Sequence, residues 1–179
     1  SSTCLGLRTP LGAALEVLLQ RHEKAAALGR KVGKRIHDLL GIPMSCITFT
    51  CTDLRDAKEL SWHHQRLTAD DMATLATMLP WMPRLKELNL NGNSFGDQGL
   101  QFMVEGLGRG AVPSLKTLEL ADVEFGPVGA DAFAAALRMG ALPKLEILYL
   151  GDNKLGTQGV MSLAPALKKL PALLHLDLG

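Results

Sequence analysis

The 179 residues suffice for one ordinary domain or a short array of stacked units with a continuous core. Hydrophobic residues make up 47% and charged residues 21%, which excludes an intrinsically disordered chain, and 4% aromatic content leaves Leu, Ala, Val and Met to build the interior. A formal net charge of +1 excludes the strongly basic signature of a nucleic-acid binder.

The charge is unevenly placed. Residues 1–40 hold seven Lys/Arg against three Asp/Glu, while residues 41–179 hold twelve against fifteen, so a basic leader precedes a mildly acidic body. Thr9-Pro10 has the form of a helix start, with Thr as the cap and Pro in the first turn. From Leu11 an apolar spacing of three and four runs through Leu15, Leu18, His22, Ala25, Gly29, Val32, Ile36 and Leu39. This predicts one long amphipathic helix within 1–43, with Gly29 or Gly33 as a point of interruption and Gly41 and Pro43 as its stop. Its simplest role is a cap over the open N-terminal end of the acidic body. Arg21, Lys24, Arg30, Lys31, Lys34 and Arg35 give it a basic face, so a membrane-surface or calmodulin-type target helix is an alternative. A coiled-coil dimerisation helix is another, weakened by His22 and Gly29 at seam positions.

Residues 45–52 (SCITFTCT) alternate and are β-branched, which predicts a capping strand at the edge of a sheet. Cys4, Cys46 and Cys51 are an odd number without metal-type spacing and read as reduced thiols. Reduced thiols set the expectation of a cytoplasmic location; no apolar run is near the length that crosses a bilayer, and Ser1 with no secretory leader after it reads as the start of a fragment.

A repeat then dominates residues 44–179. Leu85-Lys-Glu-Leu88-Asn-Leu90-Asn-Gly-Asn93 returns as Leu115-Lys-Thr-Leu118-Glu-Leu120, as Leu145-Glu-Ile-Leu148-Tyr-Leu150-Gly-Asp-Asn153 and as Leu173-Leu-His-Leu176-Asp-Leu178. The intervals are 30, 30 and 28 residues, and a step of 28 backwards finds a degenerate copy, Ala57-Lys-Glu-Leu60-Ser-Trp62. Units therefore begin near 57, 85, 115 and 145, with a truncated one at 173. Each opens on a period-two Leu-x-Leu strand. A turn comes next, as in Phe95-Gly96, Phe125-Gly126 and Leu155-Gly156, whose Gly is expected at positive φ. The period then turns helical, with Leu100, Met103, Val104 and Leu107 on one stripe, then Ala132, Phe133, Ala136 and Leu137, then Val160, Leu163, Ala164 and Leu167. Pro83, Pro113, Pro143 and Pro171 punctuate the passage to the next strand. Pro165 falls inside the last helix and predicts a bend.

These motifs resemble the ribonuclease-inhibitor type of leucine-rich repeat, shared by Ran GTPase-activating proteins and the sensor regions of nucleotide-binding immune receptors. The resemblance covers residues 57–179. It implies an α/β solenoid, a horseshoe with a parallel sheet on its concave face and helices on its convex face. It also implies an Asn after each strand that bonds the backbone of neighbouring turns. Asn93 and Asn153 match, while Gln65 and Val123 depart from the pattern, which predicts a looser ladder there.

No residue group calls for a catalyst, cofactor or metal. His63-His64 with Cys46 and Cys51 fits no metal-ligand spacing, and Gly106-Leu-Gly108-Arg-Gly110 comes after a helix rather than a strand, so it is a helix exit. The outward strand positions carry the functional expectation. They form a third column (Glu59, Glu87, Thr117, Ile147, His175), a fifth (Ser61, Asn89, Glu119, Tyr149, Asp177) and a seventh (His63, Asn91, Ala121, Gly151). This polar floor with Tyr149 as its aromatic anchor predicts a monomeric, non-catalytic scaffold for a protein partner, with no nucleic acid. Lys58, Lys86 and Lys116 are expected as a rim paired with those carboxylates. The rivals are a GTPase activator of the Ran-specific type, for which no catalytic Asn or Arg is identifiable, and the sensor piece of a larger receptor.

Overall fold

The computed structural model describes Glu23, residues 56–107 and residues 110–179. Apart from Glu23, which is helical, the predicted helix within 1–43, the strand 45–52 and the three cysteines lie outside the described residues. From residue 59 the chain alternates strand and helix: β1 (Glu59–Ser61), α1 (Ala69–Met78), β2 (Glu87–Asn89), α2 (Gly96–Leu107), β3 (Thr117–Glu119), α3 (Pro127–Arg138), β4 (Ile147–Tyr149), α4 (Gly156–Leu167) and β5 (His175–Asp177). A 3-10 turn, Leu79–Trp81, extends α1.

The five strands form one parallel sheet in chain order. Its register is that of the repeat. Leu60, Leu88, Leu118, Leu148 and Leu176 are successive partners across the sheet. Each strand is only three residues long, and the ladder continues beyond it, as in Trp62 N–H to Asn89 O and Leu120 N–H to Tyr149 O. Neighbouring helices pack in series, α1 on α2, α2 on α3 and α3 on α4. Strands stack about 4.8 Å apart and packed helices about 9 Å apart, so the sheet must take the inside of a curve. The fold is an α/β leucine-rich-repeat solenoid with the sheet on its concave face.

Between sheet and helices lies one core that includes Leu88, Leu118 and Leu148 and the helix residues Met72, Leu100, Met103, Phe133 and Leu163. The α2 stripe is buried as expected. In α3 the buried face is Ala130, Phe133, Ala134, Ala136 and Leu137, and Ala132 is only half-buried. The expected α4 stripe fails at two positions: Val160 and Ala164 are exposed, and the buried residues are Gly159, Leu163 and Ala166. The cause is position in the array. Val160 occupies the place of Leu100 and Ala130, which face the next helix, and no described helix comes after α4. The same end effect leaves Leu176 36% exposed, whereas Leu174, 83% exposed, occupies the border position that Lys86, Lys116 and Glu146 hold in the earlier repeats. Pro165 does not interrupt α4, which runs from Gly156 to Leu167.

Turn chemistry is also more selective than the glycines suggest. Gly96 and Gly156 adopt positive φ, as expected. Gly126 does not (φ −112°, ψ −156°), because Pro127 comes directly after it and disfavours anything but extended backbone there. Left-handed backbone instead recurs at the eighth position of the repeat, at His64, Gly92, Asp122 and Asp152, with φ between 52° and 66°. Asp and His are among the few side chains that tolerate this region.

Burial along the leucine row sets a graded expectation for urea unfolding. Leu118→Ala, at a fully buried site, should cost roughly 2–5 kcal/mol through lost transfer energy and a cavity. Leu176→Ala, at the open end, should cost less than about 1.5 kcal/mol. Asp122→Val should cost about 1–2 kcal/mol because a β-branched residue resists positive φ.

Candidate functional site: the concave sheet face

The outward positions line up as the repeat requires. Glu59, Glu87, Thr117, Ile147 and His175 are successive register partners, and so are Ser61, Asn89, Glu119, Tyr149 and Asp177. His63 and Asn91 extend the seventh column. None of these twelve side chains is buried. His63 is exposed and its Nδ1 lies 2.9 Å from Ser61 Oγ, while His64, on left-handed backbone, sets its ring edge-on to that of His63 and against Gly92. At the other end the Tyr149 and His175 rings pack at 5.4 Å with a 56° tilt.

The middle of the face is organised around one carboxylate. Glu119 Oε2 accepts hydrogen bonds from Asn89 Nδ2 and Asn91 Nδ2, each at 2.8 Å. Asn91 Oδ1 accepts from the Ala121 N–H at 2.7 Å, and Asn89 Oδ1 accepts from the Asn91 N–H at 3.1 Å. Two amides from β2 and the loop after it are thus oriented by backbone groups and converge on β3. The strands carry these three residues at alternate positions, so all of them stand on one side of the pleat. The column pattern located the residues; their closure into a network depends on rotamers that spacing does not determine.

The lysine rim differs from expectation. Lys116 Nζ pairs with Glu146 Oε1 at 2.6 Å, so its partner lies in its own column on the next repeat and not on the floor. Among the described residues neither Lys58 nor Lys86 forms an ion pair. These side chains stand at the border of the sheet, and exposed pairs there contribute little. On the opposite border, hydrogen bonds from Ser94 and Lys154, with the charge of Lys154, hold the Glu124 carboxyl below its ordinary range. A depressed carboxyl favours the folded state above its unfolded pKa and loses that contribution as pH falls through the folded value. The Glu124 side chain is 46% exposed, and solvent screening keeps the contribution small.

Beneath the face, two asparagines tie the turns together. Asn93 is fully buried. Its Oδ1 accepts from the N–H groups of Gln65 and Leu67, and its Nδ2 donates to the carbonyls of Trp62 and Leu90. Asn153 repeats the pattern with Val123 N–H and the carbonyls of Leu120 and Leu150. Val123, at the equivalent place, is fully buried but has no polar side-chain group to offer, and the turn there is carried by backbone bonds such as Gly96 N–H to Val123 O. The Gln65 side chain bonds only its near neighbour, Nε2 donating to the His63 carbonyl, and its Oε1 is buried without a partner among the described residues. At Gln65 and Val123 the side-chain bonds that Asn93 and Asn153 make are absent.

Asp97 was not singled out by the motifs. Its Oδ1 accepts from the N–H groups of Gly126 and Gly129, at 2.6 and 2.8 Å, so the first turn of α2 caps the start of α3. A Cβ on Gly129 would fall 2.7 Å from that oxygen, which explains the small residue. An acid in a first turn is usually assigned to its own helix dipole, and spacing gives no hint of a cap across 29 residues.

No group of three or more potential metal ligands occurs among the described residues. Nor is any helix among them long and apolar enough to cross a membrane.

Comparisons with known proteins agree with this geometry. A family model described as "Leucine Rich repeat" matches residues 83–104 and 141–164. Among solved structures, the chain is similar to actin-binding site 2 of leiomodin-1, with a TM-score of 0.59 at 16% identity, covering 72% of this chain and 76% of that one. It is likewise similar to the tropomodulin C-terminal domain of Caenorhabditis elegans, with a TM-score of 0.60 at 16% identity, covering 72% and 80%. No curated protein matches the sequence.

The asparagine ladder predicts an asymmetry in urea unfolding. Asn93→Ala should cost about 3 kcal/mol, since it orphans several buried backbone groups. Asn153→Ala, at a half-buried site, should cost roughly half as much.

Proposed function

We propose that this chain is a non-catalytic scaffold that holds a protein partner on its concave sheet face. One observation supports this above the others: the third- and fifth-position side chains form an unbroken surface that no described element covers, and its central members are fixed by hydrogen bonds. A surface fixed before binding loses less side-chain entropy on contact. Tyr149 adds a half-buried aromatic ring steadied by His175, the kind of side chain that anchors interfaces. The similar structure of leiomodin-1 is an actin-binding site, which supports a protein partner for an array of this kind.

Finer parts of the reading come with it. The repeat spacing supports the ribonuclease-inhibitor type of array, and the low net charge supports a protein partner over nucleic acid. A monomer at work in the cytoplasm is the simplest state in which this face stays free. The basic segment within 1–43 is assigned the role of cap.

Affinity capture compared between faces tests the scaffold. Tyr149→Ala and Glu119→Ala should each reduce retention of the principal captured protein by about tenfold or more, with melting temperatures changed by less than about 4 °C. Val128→Ala, on the exposed surface of α3, should retain it fully. Identical capture by all three variants would remove the concave face from consideration.

A further inference from the structure

The charge on the sheet face is one-sided. Its third and fifth columns carry four carboxylates and no Lys or Arg. The adjoining eighth position adds Asp122 and Asp152, both exposed. Lys58 and Lys86 border the opposite side without an acidic partner among the described residues. A cationic segment laid along the array is attracted over columns three to eight and repelled from that border, so charge defines both its sign and its track.

Glu119 differs from the other carboxylates. It is half-buried, and both amide donors occupy the same oxygen, Oε2. Among the described residues no partner reaches Oε1. The side chain has therefore given up its rotamer freedom while keeping one acceptor oxygen available. Its register partner on the next strand is Tyr149, and adjacent strands lie about 4.8 Å apart. The Tyr149 ring is itself braced by His175.

We propose that the occupant of the concave face is an arginine-bearing basic segment of a separate protein, with one guanidinium seated on Glu119 Oε1 and packed against the Tyr149 ring. This rests on the scaffold reading and narrows it to a partner chemistry. Guanidinium is favoured over ammonium because it is planar, weakly hydrated, and able to donate to a carboxylate while its face lies on an aromatic ring. Nucleic acid is disfavoured, since its phosphates would meet four carboxylates and no Lys or Arg in the third and fifth columns.

The test is fluorescence anisotropy of the full chain with a labelled arginine–glycine octapeptide and its lysine–glycine counterpart of equal charge. The arginine peptide should bind about fivefold or more tightly than the lysine peptide, a preference of about 1 kcal/mol. Glu119→Gln should weaken the arginine peptide by about tenfold, and Glu59→Gln, an exposed carboxylate at the rim of the array, by no more than about twofold. Tyr149→Leu should bring the arginine peptide down to the lysine level while leaving lysine binding within about twofold.

Equal affinity for the two peptides, equal effects of Glu119→Gln and Glu59→Gln, or no binding of either peptide would each overturn the proposal. If neither peptide bound while the concave variants still lost their captured partner, the scaffold reading would survive and only the arginine seat would fall. Sedimentation of the chain alone covers the remaining occupant. A salt-sensitive dimer abolished by Glu119→Gln would put a second copy in the partner's place, which would also overturn the proposal.

Discussion

Every repeat in this chain depends on its neighbours for the backbone partners it cannot supply itself. A three-residue strand has no internal hydrogen bonds, and in a parallel sheet its N–H and C=O groups are satisfied only across the ladder. Leaving them buried and unpaired would cost more than a typical hydrogen bond contributes when made. The register of leucines comes from this requirement. If one strand slipped by one residue, its leucines would face solvent and its polar side chains would enter the core. Asn93 and Asn153 strengthen the same constraint where the strand has ended and the backbone must curve toward the helix. Each asparagine binds two consecutive turns at once, so the turn cannot move without the one before it.

This dependence explains which parts of the structure were legible from the amino-acid sequence. Leu88, Leu118 and Leu148 could be placed because their spacing is a covalent fact and the ladder admits one alignment. Even the degenerate first copy, with Trp62 in place of a leucine, joins the sheet as an ordinary rung. Val160 and Leu176 were harder. Their repeat positions are those of buried residues, and their exposure arises only because no described unit lies beyond them. Periodicity reports where a side chain points; whether anything stands there is a property of the assembly. The outward columns were likewise readable as rows. The clamp on Glu119, the Lys116–Glu146 pair and the cap given by Asp97 are contacts between residues 28 to 32 positions apart, decided by rotamer and reach.

Asp97 also shows how repeats share a task that single helices handle alone. Helix α1 carries its own capping box, in which Thr68 accepts from Asp71 N–H and Asp71 accepts from Thr68 N–H. Helix α3 begins Gly126-Pro127, with no side chain able to cap it, and takes its acceptor from the preceding helix. The cap thereby becomes an inter-repeat contact, adding to cohesion along the array on its convex side as the asparagines do near the sheet. Stability in such a solenoid is approximately a sum of unit and nearest-neighbour terms, so contacts of this kind determine how far unfolding of one unit spreads.

The division between inward and outward strand positions has a consequence for recognition. Inward sites, held mostly by leucines and asparagines, serve cohesion, so the outward sites are free to vary without disturbing the stack. Most of them make few contacts and act as independent side chains on a rigid backbone. Glu119 is the exception, because the network that fixes it includes the Ala121 N–H and therefore the backbone of β3's own exit. At this point the surface inherits the rigidity of the frame beneath it. A rigid acceptor beside a braced aromatic ring discriminates among partners by shape as well as charge, whereas the mobile carboxylates around it contribute mainly long-range attraction. Specificity in this molecule is therefore expected to concentrate in the middle of the sheet, where the fold's own hydrogen bonds reach the surface, and to fade toward both ends of the array.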